Sequence, residues 1–196
     1  YINKEAIAKE EKRLIYSIRY QAYLGNNSIK KQENPFFQDK YDQKDNCRPY
    51  LCYLNKKPIS SIRSCIYLPE KSWLEIPALD VFPEEIEKHI GLNKIFVESN
   101  KFTLLPGYQN KQIMNMICLF KNIMKNAIEY KADYIITAVR ARHIRFYEKM
   151  FFSPISEEKS YPHLNFKTVL LSCDFRRYYE QFYEESKRNI FKVMFE

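Results

Sequence analysis

The chain has 196 residues, 45% of them hydrophobic and 16% aromatic, and a formal net charge of +8. That length and apolar content can bury one sizeable core, which excludes a disordered chain and makes a single domain over residues 1–196 the expectation. No apolar run approaches the roughly 20 residues of a membrane-spanning helix, and five cysteines, odd in number and never spaced as CxxC, argue against a disulfide framework and a zinc site.

The cysteines read instead as free buried thiols in a reducing compartment. No signal-peptide pattern is present, so a cytoplasmic protein with no transmembrane segment is expected. The positive charge is spread along the chain, which fits an acidic partner, protein or nucleic acid, as well as it fits plain lysine richness.

Residues 3–23 read as an amphipathic helix with Ile7, Leu14, Ile15, Ile18 and Ala22 on one face and Arg19 near its end. Residues 24–46 carry Gly25, Pro35 and several Asn and Asp without periodicity, the mark of a long mobile loop. Its Asp42 and Asp45 are spaced to bring two carboxylates together, unless both are simply solvated. Residues 50–54 and 59–68 alternate as two strands around the turn 55–58. In the second, Arg63 shares a face with Cys65 and Tyr67, so its guanidinium lies at the surface or lines a cleft and binds an anion. Residues 73–82 are irregular, and Pro83, Glu84, Glu85 and Gly91 punctuate a short helix.

The most informative stretch is 94–130. An apolar run, Ile95-Phe96-Val97, passes through Glu98-Ser99-Asn100-Lys101-Phe102 and turns at Pro106-Gly107. Ile113, Met116, Ile117, Phe120, Ile123, Met124, Ala127 and Ile128 then recur at helical spacing. A strand over 134–139 and a helix from Arg142 to Met150 follow, so strands and helices alternate as in a βαβα unit. A helix start after a strand favours an anionic group, because free N–H groups point at it. Asn110 is the expected cap, with Lys111 beside it. Residues 153–165 read as a loop around a short strand, 166–174 as a closing strand, and 175–196 as a C-terminal helix.

The run from Ala138 to Phe152, with Phe146-Tyr147 five residues before Phe151-Phe152, resembles the last motif of the GNAT acyltransferase superfamily, Phe151 standing in place of a glycine. Upstream, the chain is similar to one branch, the acyl-homoserine-lactone synthases and N-acyl amino acid synthases. Arg19 with Tyr20 and Tyr23 resembles their Arg-Tyr-x-x-Phe segment, Asp42 and Asp45 their Asp-x-x-Asp pair, and Arg63 their strand arginine. Glu98 to Phe102 resembles their Glu-x-Ser-Arg-Phe strand, with Asn100 and Lys101 in place of Ser-Arg. The order holds across about residues 14–174.

The resemblance implies a single GNAT-like α/β domain, a mixed twisted sheet flanked by helices, that transfers an acyl group from a thioester to the amine of a small acceptor such as an amino acid. Glu98 would take the amine proton and Tyr147 protonate the leaving thiolate. Arg19, Asp42, Asp45, Arg63 and Lys101 would shape the acceptor end. Phe102, Gly107, Asn110, Lys111, Arg142 and His143 would lie along the donor, and no metal is implied. The loop at Pro106–Lys111 lacks the Gly-rich signature that holds coenzyme A, which favours an acyl-phosphopantetheine on an acidic acyl carrier protein over acyl-CoA. A catalytically inert module that binds a carrier or another protein is the alternative. A nucleic-acid binder is a third reading, suggested by charge alone and without a recognition motif.

Overall fold

The computed structural model describes residues 1–71, 75–161 and 163–179. Its centre is a mixed eight-stranded sheet in the order β1-β2-β3-β4-β5-β8-β6, with β7 also paired to β8. The strands are β1 (Ile2–Glu5), β2 (Cys47–Leu54), β3 (Lys57–Tyr67), β4 (Phe96–Leu104), β5 (Tyr134–Val139), β6 (Ser153–Pro154), β7 (Lys159–Ser160) and β8 (Lys167–Asp174). The helices are α1 (Lys9–Gly25), α2 (Pro77–Val81), α3 (Pro83–His89), α4 (Gln112–Glu129) and α5 (Ile144–Glu148).

The expected first helix is divided. Residues 2–5 pair antiparallel with the edge of β2, and α1 begins only at Lys9. Glu11 marks that start by accepting hydrogen bonds from the Ile7 and Ala8 N–H groups, which satisfies donors at a helix end that has no other cap. Ile7 is therefore 76% exposed and Leu14 42%, while the buried face carries Ile15, Ile18, Arg19, Tyr20 and Ala22.

β2 and β3 form the expected hairpin, but its loop is two residues long. Asn55 and Lys56 both have positive φ, the backbone whose twist matches paired strands, and Pro58 already lies within β3. The irregular stretch after β3 contains helix α2, with Pro77 at its first position. The expected 142–150 helix is shorter, a 3-10 turn at Ala141–His143 followed by α5. The expected C-terminal helix starts with helical residues 175–179, and its remainder lies outside the described residues.

The two faces of the sheet bury different sets. Tyr50, Cys52, Ile62, Ile66, Val97, Ile135 and Leu171 pack against the apolar stripe of α4. The opposite face carries Cys65, Tyr67, Phe96, Ile136 and Leu170 under α2 and α3, with α1 over Leu51. Alternation along β3 and β4 puts Arg63, Cys65, Glu98 and Asn100 on this second face. The cysteines are free, and four of the five are fully buried. In space, however, Cys47 and Cys65 bring their sulfurs to 2.8 Å and Cys52 and Cys118 to 3.4 Å, neighbours that no sequence spacing announces.

Candidate active site

β4 and β5 run parallel, but their ladder covers only Phe96↔Tyr134 to Ser99↔Thr137. Thr137 Oγ1 donates to the Ser99 carbonyl at 2.8 Å, and beyond that point the strands separate. The cause lies in β4. Its register with β3 changes between Ser61↔Thr103 and Arg63↔Asn100, so one extra residue is accommodated, and Lys101 takes φ 56° there. A bulge bends its strand and breaks the ladder. A cavity of about 530 Å³ opens along the parting strands, lined by 99–104 of β4 and by Thr137, Ala138, Val139 and Arg140.

One end of the cavity is cationic. Arg63, with no exposed surface, donates from Nε to Asn100 Oδ1 at 2.8 Å, from Nη1 to Asp39 at 2.6 Å and Asp42 at 2.9 Å, and from Nη2 to Asp39 at 3.1 Å. Arg19, equally buried, grips both Asp42 oxygens from Nη1 at 2.7 and 2.8 Å. Lys101 Nζ lies 3.1 Å from Asp39 and over the Phe37 ring. Burial alone would raise both aspartates. Arg63 and Lys101 outweigh it at Asp39, and Arg19 and Arg63 at Asp42, so both carboxyls are held below their ordinary value. Burial pushes Lys101 down to about 8, with Arg63 and Arg19 adding to the effect and Asp39 opposing it.

Two expectations change here. The long loop is fastened over the site, because Asp39 anchors it to Arg63 and Lys101 and the Asn165 N–H donates to the Ser28 carbonyl at 2.8 Å. The paired acid of Asp42 is Asp39, whereas Asp45 is exposed on the turn into β2. Asp39 precedes Asp42 by the same three residues that separate Asp42 from Asp45, so spacing could not choose between the two pairs. Of the expected acceptor residues, Arg63 and Lys101 line the cavity, while Arg19 and Asp42 stand behind them.

Glu98 is fully buried and lies outside the cavity wall. Its Oε2 accepts the Ala78 N–H of α2 at 3.0 Å, and its Oε1 accepts nothing among the described residues. Burial raises the carboxyl to about 7, and the Ala78 N–H, the Asn100 amide and Arg63 counter this only in part. A carboxyl poised near neutrality can exchange a proton at working pH. Pro77, next to Ala78, and Tyr161 line the cavity, and neither was singled out by the sequence.

The cavity wall also carries the apolar Ile113, Met116, Phe146 and Tyr147, and Phe166 beneath the Arg140 guanidinium. Tyr147 is buried edge-on to Phe146 and Phe152. Burial pushes its phenol well above the ordinary value against Thr137, so it stays protonated, as a proton donor must. Phe102, Arg142 and His143 line the cavity, and burial with Arg142 and Arg140 lowers the imidazole, keeping it neutral. Gly107, Asn110 and Lys111 do not line it; Pro106, Gln109 and Gln112 do. Asn110 is not the cap of α4. A 3-10 turn at Gln109–Lys111 intervenes, and α4 starts after Lys111 without a side-chain cap, leaving its first N–H groups free of side-chain partners. Phe151 adopts φ 62°, the conformation a glycine favours, and stacks on Tyr178 at 4.9 Å.

A mixed sheet whose parallel central strands part around a cavity, with a buried carboxyl on one strand, is the GNAT-like fold that the sequence resemblance implies. The model of the N-acyl amino acid synthase FeeM family matches residues 14–174, and the chain belongs to that family and is an N-acyltransferase. It is similar to the structure of FeeM, an N-acyl amino acid synthase from uncultured soil microbes, with TM-score 0.75 and 14% identity over 92% of this chain and 93% of that one. It is also similar to the acyl-homoserine-lactone synthase LasI, with TM-score 0.65 and 10% identity over 87% and 88%. The CoA-dependent synthase BjaI gives TM-score 0.62 and 10% identity over 89% and 82%. No curated protein sequence matches the chain.

Proposed function

We propose that the chain moves a fatty acyl group from an acyl carrier protein thioester to the α-amine of an amino acid. The observation that carries this reading is the cavity, whose wall combines the cationic Arg63 and Lys101 with the apolar Ile113, Met116 and Phe146. The cationic cluster holds Arg19, Arg63 and Lys101 against Asp39 and Asp42, three positive charges to two negative. The surplus positive charge suits an acceptor that brings a carboxylate beside its amine. Arg63 and Lys101 face that carboxylate, and Arg19 and Asp42 position Arg63. Asp39 takes the place given in sequence to Asp45.

The acyl chain lies along the apolar wall, where each buried methylene is worth about 0.8 kcal/mol. Phe102, Arg142 and His143 flank the thioester arm, and the N-terminal end of α4, whose dipole favours an anion, receives its phosphate, with Lys111 nearby. Gly107 and Asn110 shape that turn without touching the arm. The amine attacks the thioester carbon, the C–S bond breaks, Glu98 receives the amine proton and Tyr147 protonates the departing thiolate. Such an enzyme works where acyl thioesters are made, in the cytoplasm.

A carrier-borne donor is supported by the net charge of +8 and by the absence of a Gly-rich loop before α4. BjaI, described as CoA-dependent, shows that a related fold also accepts the free coenzyme, so the two donors are tested side by side. At matched acyl length, efficiency with acyl carrier protein should exceed that with acyl-CoA and fall more steeply with salt, since charge attraction is screened over roughly 8–10 Å. Mass spectrometry of the product identifies the acceptor. Better turnover with acyl-CoA at every ionic strength refutes the carrier assignment, and no acylated amine with either donor refutes the transfer.

A further inference from the structure

Glu98 poses a problem of access. Its neighbours are Cys65 across the strand pair, Phe96 on its own face of β4, Ile136 on β5, and Ala78 above. All four of those neighbours belong to one buried cluster, and Tyr161 packs against that cluster while also lining the cavity. The Tyr161 hydroxyl is buried and has no partner among the described residues, like Glu98 Oε1. Two such orphaned polar atoms are costly unless something connects them during the working cycle.

The charged and titratable groups facing Glu98 are Arg63 and Cys65 from β3, Asp39 and Tyr41 from the 39–43 turn, and Tyr161. Cys65, Asp39 and Tyr41 do not line the cavity. Arg63 does, but its guanidinium stays protonated and is held by Asp39, Asp42 and Asn100. Among the described residues that face Glu98, only Tyr161 both touches the cavity and carries a group that can accept one proton while releasing another. Burial and, next to it, the Glu98 charge push its phenol well above the ordinary value, so it works as a hydroxyl rather than as a phenolate.

We propose that Tyr161 is the proton conduit between the acceptor amine and Glu98. This rests on the acyl-transfer reading above. As nitrogen bonds to the thioester carbon, its proton passes to Tyr161 Oη while the Tyr161 O–H proton passes to Glu98 Oε1, directly or through one water. Tyr147 neutralises the thiolate as the C–S bond breaks. Glu98 then returns its proton by the same hydroxyl and cavity water to the Tyr147 phenolate, which also lines the cavity, so both groups are restored and the net change is loss of one amine proton and gain of one thiol proton.

The test is Tyr161→Phe, which removes one oxygen from a half-buried ring. The kcat should fall at least ~10-fold at unchanged acceptor KM, and the acid limb of the rate profile should move to higher pH, because the hydroxyl no longer stabilises the carboxylate. Added to Glu98→Gln, the substitution should cost nothing further. A wild-type rate and profile, or losses that add, would overturn the conduit. A second measurement does not need turnover. The Glu98 carboxylic acid band, assigned in difference infrared spectra by its absence in Glu98→Gln, should titrate near pH 7 and shift upward in Tyr161→Phe. An unshifted midpoint overturns the proposed link, direct or through one water, between the two groups. A midpoint that shifts in Tyr161→Phe, while the wild-type chain acylates no amine, overturns the transfer reading and leaves that link in place.

Discussion

Replacing Glu98 by glutamine should stabilise the protein while disabling it, and the stabilisation should depend on pH in one direction only. The folded chain holds the Glu98 proton up to about 7, against an ordinary value of 4.5 for the same carboxyl in the unfolded chain. Between these values the folded state binds more protons, so stability falls as pH rises through the window and is fully reduced above it. At about 1.4 kcal/mol per pH unit, the separation amounts to about 3 kcal/mol. Glutamine keeps an oxygen to accept the Ala78 N–H and never ionises. Asp39 and Asp42, whose carboxyls are depressed, lose their contribution as pH falls through their folded values in both proteins, so they cancel in the difference. Urea midpoints measured by circular dichroism from pH 4.5 to pH 8 should coincide at the acid end and diverge in favour of Glu98→Gln by up to about 3 kcal/mol at the alkaline end. Above about pH 7, where Glu98 is ionised in the unaltered protein, the rate of acyl transfer should fall ~10²-fold, and the loss should shrink toward acid. A difference that does not vary with pH, or that grows toward acid, would refute the buried, half-protonated carboxyl.

The rate of the unaltered protein should rise through about pH 7 as Glu98 ionises and decline above about pH 8 as Lys101 loses its charge, a narrow bell that a profile of kcat/KM would reveal. Lys101→Gln should raise KM for an amino acid ~10-fold or more and leave a neutral amine of the same size almost unaffected; equal losses would make Lys101 structural. Asp39→Asn should lower stability by ~2 kcal/mol, since it frees two cations of which Arg63 is fully buried, while Asp45→Asn should stay within ~0.5 kcal/mol; paired urea titrations separate them.

Local pattern in the sequence determined the central unit of this protein. Period-two alternation assigned Arg63 to the face of Cys65 and Tyr67, and helical spacing drew α4 nearly to its observed ends. Ordered motifs put Glu98 on a strand, and the apolar run 134–139 coincides with β5 end to end. Period and order are properties of neighbouring residues, so they survive without a partner structure. What crossed between elements did not. Four residues of β1 become a strand only because the edge of β2 offers its ladder, and Arg19 leaves the solvent only because Asp42 meets it from a loop 23 residues on. The choice of Asp39 over Asp45 depended on which carboxylate reached Arg63, and the spacing was the same for both. Tyr161 had no signal at all, since a tyrosine in a loop acquires meaning only when the fold sets its hydroxyl at the wall of a cavity beside a buried carboxyl. The extra residue at Lys101 likewise decides the site, because a bulge is defined by the register of two strands and only their pairing shows that β4 must bend away from β5 and open the cleft.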